Sequence, residues 1–232
     1  DSFNTAVGFQ SGASVTTGVK NTLIGSLAGD AITNGDNNVA LGHSALGADT
    51  LGEKSVAVGT FALLAQNFTT LTDTFNVAVG HAAGTAVTTG TSNTIVGALA
   101  GDALTEGYNN VAVGRSALSL DDLGQGSTAI GWSALANQNM ATALDTGNVA
   151  VGLEAGNDIT TGINNTLIGT GAGDALTDAD NNVAVGRNAL GSDTLGSKST
   201  ALGRGALGAQ NFTTATDSNN TAVGYTAGNS VT

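Results

Sequence analysis

Residues 4–8 read Asn-Thr-Ala-Val-Gly, and the pattern returns at residues 21–25 as Asn-Thr-Leu-Ile-Gly. It recurs thirteen times, and every copy ends in Gly after Val, Ile or Leu. Successive copies are separated by three steps of seventeen and one step of twenty-one, and then the series begins again. Repetition at a fixed period predicts a repeat architecture. The closing glycines are Gly8, Gly25, Gly42, Gly59, Gly80, Gly97, Gly114, Gly131, Gly152, Gly169, Gly186, Gly203 and Gly224.

Three 17-residue coils and one 21-residue coil form a 72-residue super-repeat. The super-repeats span 4–75, 76–147 and 148–219, and 220–232 opens a fourth. When each coil is numbered from its first residue, position 5 is always Gly and position 8 is Ala in twelve coils. Position 1 is Asn or Ser: Asn4, Asn21, Asn38, Asn76, Asn93, Asn110, Asn148, Asn165, Asn182 and Asn220, with Ser55, Ser127 and Ser199.

The repeated segment predicts a short β-strand, because β-branched residues alternate with a small residue before a glycine. Seventeen residues accommodate two strands of about five residues with two turns. Identical positions in successive coils place each coil in register on the preceding one, about 4.8 Å away. The sequence therefore predicts an all-β parallel β-solenoid. We expect one domain over residues 1–232, a rod roughly 60 Å long.

The fixed positions have physical explanations. Stacked Asn side chains can form a ladder in which each amide donates to the next. Gly at position 5 fits a positive φ or a close approach of two backbones. Ala at position 8 indicates an interior too narrow for larger side chains.

Acidic residues are spaced by the longer period. A column of carboxylates at strand spacing would repel, whereas residues four coils apart are roughly 19 Å from one another, beyond a Debye length. The 72-residue period thus predicts dispersal of like charges. The sets are Asp30, Asp102 and Asp174; Asp49, Asp121 and Asp193; and Asp73, Asp145 and Asp217.

Composition excludes several classes of function. The 232 residues carry six Lys and Arg against eighteen Asp and Glu, a formal charge of −12, which disfavours nucleic-acid binding. Cysteine is absent, so no disulfide or thiolate site can form. No apolar run approaches the ~18 residues of a membrane-spanning helix, and we expect no membrane insertion.

The repeat resembles those of two families. Residues 110–118, Asn-Val-Ala-Val-Gly-Arg-Ser-Ala-Leu, are similar to the Asn-Ser-Val-Ala-Ile-Gly-x-x-Ser/Ala repeats of YadA-like trimeric autotransporter adhesin heads. Coils such as 76–92 resemble repeats of bacteriophage tail-fibre proteins that end in a self-cleaving chaperone domain. The resemblance implies a left-handed β-roll, a homotrimer and an extracellular location on a virion or cell surface. It further implies a structural or adhesive fibre segment that attaches to a host glycan or protein receptor.

The 21-residue coils contain candidate receptor contacts. Their extra residues place three similar protrusions on one edge, each with an Asn and a large apolar side chain. Exposed loops on a rigid scaffold commonly carry recognition. Alternatively, the apolar side chains fold back over the solenoid or fill a groove between subunits. The candidates are Asn67, Phe68, Thr69, Asn139, Met140, Asn211, Phe212 and Thr213.

No motif indicates catalysis, a cofactor or a metal. The segment 203–208 matches Gly-x-Gly-x-x-Gly, but no helix or βαβ unit accompanies it. The segment 178–182 begins like a calcium loop, yet lacks the required glycine and the closing Glu. His43 and His81, the only histidines, occupy variable positions typical of a surface. We therefore expect a protein that is not an enzyme.

Two other functions remain open. Exposed β-edges at the rod ends would allow end-to-end polymerisation into a filament. The repeated threonine at position 13 suggests an ice-binding face, although it forms a single file that the 21-residue coils interrupt. A stacked β-branched column that stabilises the sheet is the simpler explanation.

Overall fold

The computed structural model describes residues 2–231 as a parallel β-solenoid of about thirteen turns. Strands and turns account for the regular structure of residues 2–231, which contain no helix. The predicted all-β solenoid, built mainly from 17-residue coils, is confirmed. The chain divides into two compact halves, one ending at Ala112 and one beginning at Val113.

Two kinds of strand occur in residues 2–231. Strands of three residues occupy positions 2–4 of the coils: β1 (Thr5–Val7), β2 (Thr22–Ile24), β3 (Val39–Leu41), β5 (Val56–Val58), β7 (Val77–Val79), β8 (Thr94–Val96), β9 (Val111–Val113), β11 (Thr128–Ile130), β13 (Val149–Val151), β14 (Thr166–Ile168), β15 (Val183–Val185), β17 (Thr200–Leu202) and β19 (Thr221–Val223). Two-residue strands lie in each 21-residue coil and in the coil before it: β4 (Gly52–Glu53), β6 (Thr72–Asp73), β10 (Gly124–Gln125), β12 (Leu144–Asp145), β16 (Gly196–Ser197) and β18 (Thr216–Asp217).

The strands pair in parallel with matching positions opposite each other. In the first half, Ala6 of β1 lies opposite Leu23 of β2, and Ala57 of β5 lies opposite Ala78 of β7 across a 21-residue coil. In the second half, β13 and β14 pair in the same way. Both coil lengths therefore preserve one register, and the four extra residues lie elsewhere in the coil.

The prediction of two five-residue strands in each coil is wrong, because the second strand is reduced to two residues or replaced by turns. The coils bend through residues with positive φ at positions 7, 9 and 17, such as Leu27 (58°), Leu46 (54°) and Lys20 (60°). Residues in the left-handed backbone conformation bend the chain and so prevent a second long extended segment. Hydrogen bonds between coils continue there, as in the 2.9 Å bond from Thr33 N–H to the carbonyl of Thr50.

Glycine at position 5 satisfies both predicted requirements. Gly152 has a φ of +142°, outside the range that residues with a side chain readily adopt. A Cβ placed there would lie 2.6 Å from the carbonyl oxygen of Gly169 in the next coil. The coils can stack at strand spacing only because this position has no side chain.

The Asn ladder forms, but its partners differ from the prediction. The amide oxygen of Asn21 accepts a hydrogen bond from the backbone N–H of Asn38 at 2.9 Å, and its Nδ2 donates to the carbonyl of Gly35 at 2.8 Å. The prediction that each amide donates to the next side chain is wrong for this pair. A buried backbone N–H requires an acceptor, and the stacked amide supplies one.

The interior is narrow, and its large side chains alternate between positions. Ala28 and Ala45, both at position 8, are fully buried, which confirms the predicted narrow core. The second coil carries Leu23 at position 3, and a Cβ on Gly29 would lie 2.7 Å from its Cδ2. The third coil reverses this arrangement, since a small residue at position 3 leaves room for Leu46 at position 9.

Candidate functional site: the long coils and the outer face of the sheet

Position 12 changes from apolar to polar within each super-repeat. In the first super-repeat it is occupied by Val15, Ile32, Asp49 and Gln66 in turn. Ile32, Asp49 and Gln66 are all fully buried. An aspartate and a glutamine therefore occupy the interior of consecutive coils. The glutamine directly precedes the part of the 21-residue coil that contains the four extra residues.

The buried glutamine is at the centre of a hydrogen-bond network. Gln66 Nε2 donates to Asp49 Oδ2 at 2.6 Å and to Ser55 Oγ at 2.8 Å. Gln66 Oε1 accepts from Asn76 Nδ2 at 2.9 Å. Ser55 Oγ also lies 2.5 Å from Thr74 Oγ1, whose hydroxyl donates to a backbone carbonyl. Each polar atom of the glutamine side chain thus has a partner, as burial requires.

The aspartate fixes the backbone at the start of the long loop, residues 67–71 of the 21-residue coil. Asp49 Oδ1 accepts backbone N–H groups from Gly52 at 3.0 Å and from Phe68 at 3.3 Å. Burial raises the pKa of Asp49, and the hydrogen bond from Gln66 opposes that rise. The same two effects, in the same order, act on the pKa of Asp121, which is also raised. Dispersal of charge therefore does not explain this set, because hydrogen bonds rather than distance compensate these buried carboxyls.

The network recurs in all three super-repeats, and sequence reasoning missed it. Its signal is an Asp and a Gln at position 12 of consecutive coils, with Ser at position 1 of the coil that contains the Gln. The short Ser side chain leaves room for the glutamine amide. The equivalent sets are Asp121, Gln138, Ser127, Thr146 and Asn148, and Asp193, Gln210, Ser199, Ser218 and Asn220.

The candidate receptor contacts divide into exposed polar and covered apolar residues. Phe68 and Met140 are buried, and Phe212 is half-buried. The alternative in which the apolar side chains fold back is confirmed for the first two. Receptor contact by these loops stays a prediction, and the groups available for it are the exposed Asn67, Thr69, Asn139, Asn211 and Thr213.

Two exposed asparagines of the loops continue the threonine file. Thr50 Oγ1 donates to Asn67 Oδ1 at 2.9 Å, and Thr194 Oγ1 lies 3.2 Å from Asn211 Oδ1. In the ordinary coils the hydroxyl turns to the backbone, as in the 3.1 Å bond from Thr33 to the carbonyl of Thr50. The threonine hydroxyls thus donate to acceptors in the next coil, an arrangement that explains the column as a structural feature.

Like charges lie closer together in the first super-repeat than predicted. Glu53 pairs directly with Asp73 in strands β4 and β6, one coil apart. Partial burial raises the pKa of Glu53, and the nearby carboxylates of Asp36 and Asp73 raise it further. Lys54 Nζ lies 2.5 Å from Asp73 Oδ2 and offsets part of this repulsion. The predicted dispersal of like charges therefore fails around Asp73, although its equivalents Asp145 and Asp217 keep the 72-residue spacing.

The two histidines lie on the surface, as predicted. His43 and His81 are exposed at position 6, on either side of Phe61. The ring of Phe61 contacts His43 edge-on at 5.4 Å between centroids and His81 at 6.2 Å. The three rings form a short aromatic row on the first half.

The three-residue strands form a sheet whose outer face is uncharged in each half. Side chains at positions 2 and 4 point away from the interior, and these positions are Thr, Val, Ile or Leu in every coil. Val79 in the first half is 36% exposed, and Ile168 in the second is 40% exposed. On a chain with net charge −12, positions 2 and 4 thus form an uncharged, partly apolar surface. Contiguous apolar surface of this kind marks a site of interaction.

No family model matches the chain, and no curated protein shows significant similarity to it. The resemblance to adhesin heads and tail fibres therefore stays a prediction. In the part of the chain that the structure describes, no helix is long and apolar enough to span a membrane. Nor do three or more His, Asp or Glu side chains of residues 2–231 converge as a metal site would require.

Proposed function

We propose that the chain is a rigid segment of an extracellular fibre, in which copies of the chain pack through the outer face of the sheet. The fibre holds a binding tip away from a virion or cell surface and contributes contacts to a host receptor. The observation that carries this proposal is the uncharged outer face at positions 2 and 4 of every coil.

The chemistry of this face favours a second copy of the same chain as its partner. Two chains of the same net charge repel each other, and contact through a surface that lacks charge avoids most of that repulsion; this face provides such a surface on a chain of charge −12. Regular β-branched rows also offer a flat surface against which another sheet can pack. The resemblance to trimeric adhesin heads supports three copies.

Replacement of Val79 by Glu tests the proposal. Val79 lies in β7 at position 4 of its coil, and a carboxylate there would be desolvated between copies. We expect the unmodified chain to have the mass of a trimer in light scattering and Val79→Glu to be monomeric. Thr89→Glu adds the same charge at an exposed position outside the sheet, and it should remain trimeric.

Val79→Thr keeps the β-branch and provides a check on folding. It should weaken assembly on dilution while its circular-dichroism spectrum stays that of the unmodified chain. A monomeric unmodified chain over a broad concentration range would overturn the proposal. Indefinite filaments in electron micrographs would replace it with end-to-end polymerisation.

A further inference from the structure

A depression of about 270 Å³ lies on the surface of the second half, beside its last coils. Arg187, Arg204 and Tyr225 occupy position 6 in three successive coils and form one side of it. Asn188 and Asn229 are also part of its lining. The volume is slightly below the range of sites for drug-sized ligands and suits a smaller molecule.

Two glycines create this space. Gly205 and Gly208 line the depression, and they stand where the earlier super-repeats carry side chains. The depression is therefore a feature of the third super-repeat rather than a consequence of the repeat itself. The residues at the equivalent positions are Phe61 and Ser133, and Leu64 and Ala136.

The depression concentrates positive charge on an acidic chain. The chain has only three arginines, and two of them, Arg187 and Arg204, lie in neighbouring coils. Neither forms an ion pair within residues 2–231. Arg204 Nη1 donates to the hydroxyl of Tyr225 at 3.0 Å and leaves its other donors free for a ligand. Among residues 2–231 no carboxylate lines the depression, so an anion can neutralise the two guanidinium groups there.

The available donors indicate which kind of anion fits. Gly205 N–H already donates to the carbonyl of Arg187 at 2.9 Å, and Thr226 N–H to that of Arg204 at 2.9 Å. The backbone therefore offers no cradle of free N–H groups for a phosphate. Planar guanidinium groups bind a carboxylate through paired hydrogen bonds and need no such backbone cradle for it.

The remaining lining suits a sugar. Asn188 and Asn229 have amide groups that can both donate to and accept from hydroxyl groups. Tyr225 is 69% exposed, and the Arg204 guanidinium lies 5.4 Å from the centroid of its ring, so the exposed remainder of the ring is the aromatic surface open to a sugar. We propose that this depression binds an acidic monosaccharide unit, with its carboxylate on Arg187 and Arg204 and its ring against Tyr225. A single chain contains the whole site, so the proposal does not depend on fibre assembly.

The experiment is a titration of the ¹⁵N-labelled 232-residue chain with glucuronic acid and N-acetylneuraminic acid. Glucose, N-acetylglucosamine and acetate serve as matched ligands that lack either the charge or the ring. We expect saturable shifts of the Gly205 and Gly208 amide signals with the acidic sugars, weakened by added salt. The neutral sugars and acetate should bind more weakly by about tenfold.

The chain supplies a matched control for the arginines. Arg187→Gln and Arg204→Gln should each weaken binding of the acidic sugars by about tenfold. Arg115 occupies the position equivalent to Arg187 in the second super-repeat, outside the depression. Arg115→Gln removes the same charge and should leave binding unchanged.

The proposal would be overturned if neither acidic sugar gave a saturable shift, or if the neutral sugars or acetate bound as tightly as the acidic sugars. It would also be overturned if Arg115→Gln weakened binding of the acidic sugars as much as Arg187→Gln does. A change of oligomeric state in Arg187→Gln with sugar binding intact would assign the arginines to self-association and would also overturn it. Light scattering on the same samples separates these outcomes from a failure of the fibre proposal.

Discussion

Replacement of Gln66 by Leu would remove the centre of the buried network while keeping a side chain of similar size. The substitution deletes the hydrogen bonds to Asp49, Ser55 and Asn76. Asp49 then keeps only backbone donors, from Leu51, Gly52 and Phe68, in a site without solvent exposure. We expect the free energy of unfolding to fall and the long loop to open more often.

The magnitude follows from the three bonds. The two neutral bonds contribute about 1 kcal/mol each, and the bond to the aspartate about 1.5–3 kcal/mol. We therefore expect a loss of about 4 kcal/mol from the same bond energies. Gln66→Glu should also destabilise at neutral pH, because two carboxylates would then share the site, and it should recover in acid as the pair takes up a proton.

Urea denaturation followed by circular dichroism measures the loss, and hydrogen exchange of residues 66–76 locates it. Local measurement is needed because repeat proteins can unfold in parts. Ile32→Val is the matched control at the same position of an apolar coil, with an expected loss of about 1 kcal/mol. If Gln66→Leu costs no more than this control and exchange at 66–76 is unchanged, the network does not stabilise the loop.

The remaining predictions concern the glycine column and the response to pH. Gly152→Ala should cost more than about 3 kcal/mol because its Cβ would meet the carbonyl of Gly169 at an unfavourable φ. Gly126→Ala, also at positive φ but with no atom within 4 Å of its Cβ, should cost about 1 kcal/mol; equal losses would refute the close approach. Burial raises the pKa of Asp49 and Asp121 above 3.8, so the folded chain takes up protons before the unfolded chain as pH falls. We expect urea midpoints to rise from neutral pH to about 4, and a fall over this range would contradict the sign.

The register and stacking of the coils could be predicted from the sequence because they depend on spacing. Every coil repeats a Gly at position 5, and the observed pairing of Ala57 with Ala78 across a 21-residue coil matches that alignment. The predicted close approach at Gly152 follows from the same column. The period extends over the whole chain, so it can be recognised whatever the conformational preferences of single residues.

The backbone of the turns could not be predicted in the same way. Leu46 is fully buried at a φ of 54°, a conformation that Leu rarely adopts in isolation. Packing in the narrow interior overrides this preference, because the small residue at position 3 leaves a space that Leu fills. No propensity of a single residue carries that information.

The buried network was missed for a related reason. Asp49 and Gln66 are polar residues of a kind that ordinarily lies at the surface. Their burial depends on partners in neighbouring coils, which meet only when the coils are stacked. The sequence likewise left open whether Phe68 is exposed, because the path of a four-residue insertion is determined by those partners.

The network also restricts how such a chain can change its length. Gln66 bonds forward to Asn76, the first residue of the following super-repeat, and Gln138 bonds forward to Asn148 in the same way. Excision of residues 76–147 would bring Asn148 to the place of Asn76 and restore the same bond. Loss of the 17-residue coil 38–54 would instead remove Asp49 and leave Gln66 without its aspartate. Genetic recombination can therefore lengthen or shorten this protein by whole super-repeats, with the same chemistry at each new junction.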